Sequence, residues 1–88
     1  MFKKDPKSDK WTLTLRMSQE VKDLMEDLQK RIHAQSLVEV FRMALAWYDD
    51  AIEEHEKGGR VILESEGGKM SEMNLFPKSD LEIEDSLQ

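Results

Sequence analysis

The sequence predicts a mainly α-helical chain in which one N-terminal strand is followed by two helices, built to pair with a second copy of itself. Three observations carry this reading. Residues 10–17, Lys-Trp-Thr-Leu-Thr-Leu-Arg-Met, alternate with period two, placing Leu13, Leu15 and Met17 on one face and Thr12, Thr14 and Arg16 on the other. Two stretches of helical periodicity follow, each opened by a serine. No second strand of like quality appears before the acidic C-terminal stretch. A lone strand cannot satisfy its own backbone donors and acceptors, so the most economical partner is the same strand in a second chain.

Composition sets the frame. Eighty-eight residues make one small domain, and a chain so short buries a small share of its surface, which favours dimerisation as a source of stability. With no cysteine there is neither a disulfide framework nor a thiolate metal site. No apolar run approaches the roughly 20 residues of a membrane span, and residues 1–10 are charged rather than signal-like, so the expected address is the cytoplasm. The formal net charge of -6 argues against a nucleic-acid partner only until its distribution is considered. Lys3, Lys4, Lys7, Lys10 and Arg16 outnumber Asp5 and Asp9 over residues 1–17, a local +3 beside the strand that leaves -9 for the rest.

Taken in order, residues 1–9 contain Pro6 and mixed charges without apolar spacing and read as a flexible basic arm, either simply solvated or touching DNA backbone through Lys3, Lys4 and Lys7. The dimerisation unit is expected over residues 10–57. Ser18 caps a first helix of about residues 18–32, whose stripe is Val21, Leu24, Met25, Leu28 and Ile32. Ser36 caps the second helix, which is apolar nearly all round: one stripe (Leu37, Phe41, Ala44, Leu45, Tyr48, Ile52) covers the first helix and the strand, while Val40, Met43 and Trp47 need a second surface, best supplied by a partner subunit. The helix turns acidic and stops at Gly58-Gly59. Residues 58–76 read as a weak β-hairpin around Gly67-Gly68, which either docks on the helices or forms only in part. Residues 77–88, acidic with spaced Leu81, Ile83 and Leu87, read as disordered in isolation or folding on a partner.

Little here suggests catalysis. His33 and His55 are far apart, no phosphate-cradling glycine loop or nucleophile elbow occurs, and Asp49, Asp50, Glu53 and Glu54 lack the spaced ligands of a calcium loop, reading instead as a solvated helix face. Neither an enzyme nor a cofactor is expected.

The pattern Thr12-x-Thr14-x-Arg16 on a strand, a helix from Ser18, a short turn, and Ser36-x-x-Glu39-x-x-Arg42-x-Ala44 opening the second helix resembles the ribbon-helix-helix family, the MetJ/Arc and CopG-like bacterial repressors, over residues 10–56. The resemblance implies an intertwined homodimer whose antiparallel ribbon enters the major groove of double-stranded DNA. Thr12, Thr14 and Arg16 would then contact bases. Lys10 and the start of the second helix at Ser36, Leu37 and Val38 would contact phosphate, and Leu13, Leu15, Val40, Phe41, Ala44 and Trp47 would form the dimer core. The chemistry suits those roles: arginine grips guanine O6 and N7 in a bidentate way, threonine offers a hydroxyl and a methyl, and a capped helix start presents free N–H groups to an anion. Thr12 and Thr14 also have a plainer reading as β-formers on a wet face, and Glu39 with Arg42 as an i, i+3 surface pair. The family often has glycine two residues before the serine of the turn, where this chain has Ala34 preceded by His33. Either the turn differs, or His33 takes the left-handed conformation.

The resemblance implies an autoregulatory transcriptional repressor. Two alternatives accompany it: an antitoxin-type module whose residues 58–88 bind a partner protein, and an acidic decoy that keeps the fold but binds protein instead of DNA.

Overall fold

The computed structural model describes residues 2–85. Among these described residues, two helices, α1 (Gln19–Arg31) and α2 (Leu37–Glu56), are accompanied by six three-residue strands: β1 (Phe2–Lys4), β2 (Trp11–Leu13), β3 (Leu15–Met17), β4 (Ile62–Glu64), β5 (Met70–Glu72) and β6 (Ile83–Asp85). The strands form three antiparallel pairs, β1 with β2, β3 with β6, and β4 with β5. The fold is therefore a small mixed α/β arrangement, with an N-terminal strand region leading into two helices.

Helix starts follow their local chemistry. The Ser18 hydroxyl accepts from the Val21 N–H at 3.3 Å and the Ser36 hydroxyl from the Glu39 N–H at 3.3 Å, each satisfying one of the donors a helix leaves unpaired at its first turn. At α2 the Glu39 carboxylate also reaches back to accept from the N–H of Gln35, the residue before the cap.

Both helix ends close in the same way. After α1, Ala34 N–H donates to the Gln29 carbonyl at 2.9 Å and His33 N–H to the Lys30 carbonyl at 3.2 Å, with His33 at φ 57. After α2, Gly59 N–H donates to the Glu54 carbonyl at 2.9 Å and Gly58 N–H to the His55 carbonyl at 3.0 Å, with Gly58 at φ 86. These paired bonds around a left-handed residue are the Schellman arrangement. Of the two outcomes for the helix–helix turn, the second is found: the histidine carries the left-handed conformation and Ala34 is spared it.

The hairpin of β4 and β5 turns at Gly67 (φ 96) and Gly68 (φ 87), closed by a 2.7 Å bond from Ser65 N–H to the Lys69 carbonyl. It docks through the residues that follow it. Leu75 is buried, its carbonyl accepts from the Tyr48 hydroxyl at 2.9 Å, and the rings of Phe76 and His55 meet edge to face at 5.4 Å.

The expected strand of residues 10–17 is interrupted at Thr14, and each half has a partner within the chain. The arm that composition gives no reason to fold is turned back by Asp5-Pro6: the Asp5 carboxylate accepts from Lys7 N–H at 3.0 Å, and Asp5 N–H donates to the Lys10 carbonyl at 2.9 Å. The acidic stretch returns to lay Ile83–Asp85 on β3. Of the expected tail, residues 86–88 lie outside the described residues.

Among the described residues the buried apolar side chains are Val21, Val40, Ala51 and Leu75. This also revises the facing of α2. Val40, expected to need a second surface, is 7% exposed within its own chain, whereas Phe41 (48%) and Leu45 (73%), assigned to the inner stripe, stand in solvent with Ala44, Met43 and Trp47 (49%). A helix apolar nearly all round has no single preferred inner face, and the packing chose the one carrying Val40 and Ala51. The consequence is a large exposed surface: 8011 Å², against about 5,400 Å² for a compact monomer of this length. The radius of gyration is 16.3 Å, where about 12 Å is ordinary.

Candidate functional site

Side chains on β2 and β3 alternate across the sheet, and directly opposed residues of an antiparallel pair share a face. Lys3 stands opposite Thr12 and Glu84 opposite Arg16. Lys3 and Thr12 therefore share a face of the β1–β2 pair and Arg16 and Glu84 a face of the β3–β6 pair, with Thr12, Thr14 and Arg16 all exposed. The reverse faces carry Trp11 and Leu13, with Phe2 opposite Leu13, in the first pair, and Leu15 and Met17, with Ile83 opposite Met17, in the second. Leu15 and Met17 are half-buried, while Phe2, Trp11 and Leu13 remain exposed. The strand thus has a polar, hydroxyl- and cation-bearing side and an incompletely covered apolar side.

The hydrogen-bond phase assigns the edges. Hydrogen-bonded pairs recur at every second residue of an antiparallel ladder. The bond from Asp5 N–H to the Lys10 carbonyl makes Lys3 with Thr12 such a pair, and the 3.0 Å bond from Ser18 N–H to the Glu82 carbonyl does the same for Arg16 with Glu84. Thr12 and Arg16 have the same parity. In an extended chain both β1 and β6 therefore lie along one edge, and the N–H and C=O groups of Trp11, Leu13, Leu15 and Met17 point to the other.

Arg16 faces a carboxylate. Its Nη1 lies 3.8 Å from Glu84 Oε1, with the side chains 64% and 70% exposed. So open an ion pair contributes little to stability and is readily exchanged for another anion. Lys10 and Lys7 sit in the turn between β1 and β2, their backbone N–H groups held by Ser8 Oγ and Asp5 Oδ1, and Lys4 falls opposite Trp11 rather than on the Thr12 face.

Ser36, Leu37 and Val38 form the start of α2 as expected, with Val38 exposed. The Glu39 carboxylate in this first turn is turned toward Gln35 N–H, so the helix start already holds one negative group, and an added anion must share the remaining amides with it. Of the expected core residues, Val40 is covered by its own chain, Leu15 is half-buried, and Leu13, Phe41, Ala44 and Trp47 are exposed. No helix among the described residues is long and apolar enough to cross a membrane. Asp49, Asp50 and Glu53 bring carboxylate oxygens within 4.8 Å of one another on the exposed side of α2, a grouping that solvated helix faces produce without an ion.

No family model, curated protein or solved structure matches the chain. The site must be read from its own chemistry.

The residue that sequence reasoning left out is Glu84. Its signal is local: Leu81-Glu82-Ile83-Glu84 alternates apolar and acidic as a half-covered strand does, within a composition that otherwise matches a solvated tail.

Proposed function

We propose that the chain acts as a homodimeric DNA-binding transcriptional repressor of ribbon-helix-helix type, autoregulatory, with the Thr12, Thr14 and Arg16 face turned to the major groove. The observation that carries this reading is the apolar surface the single chain leaves open. Phe41, Leu45, Met43 and Trp47 on α2, together with Trp11 and Leu13 on the strand, exceed what a stable monomer exposes. The surplus of accessible surface over a compact monomer, about 2,600 Å², is of the size an obligate homodimer buries.

The edge carrying the backbone groups of Trp11, Leu13, Leu15 and Met17 is the one a second copy can pair with, since β1 and β6 take the other. Two-fold pairing there sets the two sets of Thr12, Thr14 and Arg16 side by side on one face, and a two-stranded ribbon of this kind fits a major groove. The helix start at Ser36, Leu37 and Val38 suits a phosphate, with Lys10 and the arm lysines adding positive charge beside the strand.

A gel-shift assay with the duplex upstream of the chain's own coding region, alongside sedimentation, tests the proposal. A particle of twice the chain mass that retards this duplex is expected, whereas a stable monomer at micromolar concentration removes the ribbon. A second reading has its own observation: Ile62, Leu63 and Met70 of the hairpin are exposed, which suits a partner protein on residues 58–88. Co-purification that is unchanged when these residues are removed would exclude it.

A further inference from the structure

We propose that the acidic segment of residues 81–85 is an intramolecular gate on the DNA-facing strand, which must leave β3 before the ribbon can be read into DNA. The inference rests on the DNA-binding proposal and adds its regulation.

Charge is the first part of the argument. In the β3–β6 register Glu84 lies directly across from Arg16 and shares its face, and Glu82, whose carbonyl accepts from Ser18 N–H, adds a second exposed acidic residue beside that pair. The gate supplies Arg16 with the type of group that DNA would supply and presents extra negative charge where phosphates must approach.

Width is the second. Two paired strands are one spacing of about 4.8 Å apart, but a dimer flanked on each outer edge by β1 or β6 is four strands across, about 14 Å between its outer strands, which exceeds a major groove about 12 Å wide. The outer strands must therefore peel away. Release of β1 is offset as Lys3 and Lys4 gain phosphates, whereas release of β6 gains nothing from DNA, so β6 sets the cost.

The hold is weak enough to be reversible. Among the described residues it includes a three-residue ladder, the Ser18 to Glu82 bond, one exposed ion pair and the pairing of half-buried Met17 with exposed Ile83.

The test uses full-chain variants and the same upstream duplex. Glu84→Gln removes the charge but keeps the backbone. Glu84→Pro also removes the N–H that pairs with Arg16. Glu66→Gln, in the hairpin turn, is the charge-matched control. Expected is binding about two- to fivefold tighter for Glu84→Gln than for the control, and about tenfold or more for Glu84→Pro. Faster amide exchange at Arg16 and Ser18 in the proline variant, measured without DNA, should accompany the gain. Affinities of both Glu84 variants equal to or below that of Glu66→Gln overturn the gate while leaving DNA binding standing. Failure of every form to bind the duplex overturns both.

Discussion

Leu45→Ala separates association from folding, because the side chain is 73% exposed in the single chain and contributes little to that chain's own packing. Alanine also keeps the helix, being the better helix former. Full burial of a leucine side chain stabilises by about 1.5–3 kcal/mol, and roughly three quarters of that remains to be gained when a second copy covers α2. A two-fold interface counts each residue twice, so the dimer should lose about 2–4 kcal/mol, a rise in dissociation constant of about 30- to 700-fold. Sedimentation equilibrium across a dilution series measures this directly, with far-ultraviolet circular dichroism confirming unchanged helix content. An unaltered dissociation constant would refute the claim that the exposed face of α2 is the dimer surface.

Further outcomes concern the chain itself and are read at fixed protein concentration, since dimer stability depends on it. His33→Gly relieves a side chain held at φ 57 and should raise the urea midpoint by the equivalent of about 0.5–1 kcal/mol after the added freedom of the unfolded chain is counted; a lowered midpoint would contradict the left-handed turn. Ser36→Ala removes the hydroxyl that accepts from Glu39 N–H and should cost about 1 kcal/mol in the same assay, with no loss speaking against the cap. Leu75→Ala empties a buried site under the Tyr48 hydroxyl and should cost about 2–5 kcal/mol, whereas a neutral change would mean that the hairpin does not dock on α2.

What could be read from the residues alone is what local chemistry decides. Ser18 and Ser36 mark helix starts because a hydroxyl reaches an amide three residues on, and Gly58-Gly59 marks a stop because a left-handed residue must follow the last turn. The Gly67-Gly68 turn is equally local. The partners of the strand were not legible, because pairing joins residues whose separation the period cannot encode. For β1, Asp5-Pro6 was a turn signal that mixed charge obscured; for β6, the acidic residues of an alternating segment resembled a solvated tail. The inner face of α2 was not legible either, since Val40 and Phe41 are equally apolar neighbours and only the approach of α1 distinguishes them. At the site, Thr12, Thr14 and Arg16 are exposed, as polar members of an alternating segment are expected to be, but the carboxylate of Glu84 beside Arg16 depends on a contact spanning most of the chain.

Readout of DNA by the strand face is tested most directly by comparing the intact chain with Arg16→Ala on the upstream duplex in one gel-shift titration. A bidentate arginine–guanine contact is worth about 1–3 kcal/mol, so affinity should fall by about 5- to 150-fold while the dimer mass is retained. Retention of the duplex by Arg16→Ala at the affinity of the intact chain would contradict the assignment of this face to DNA.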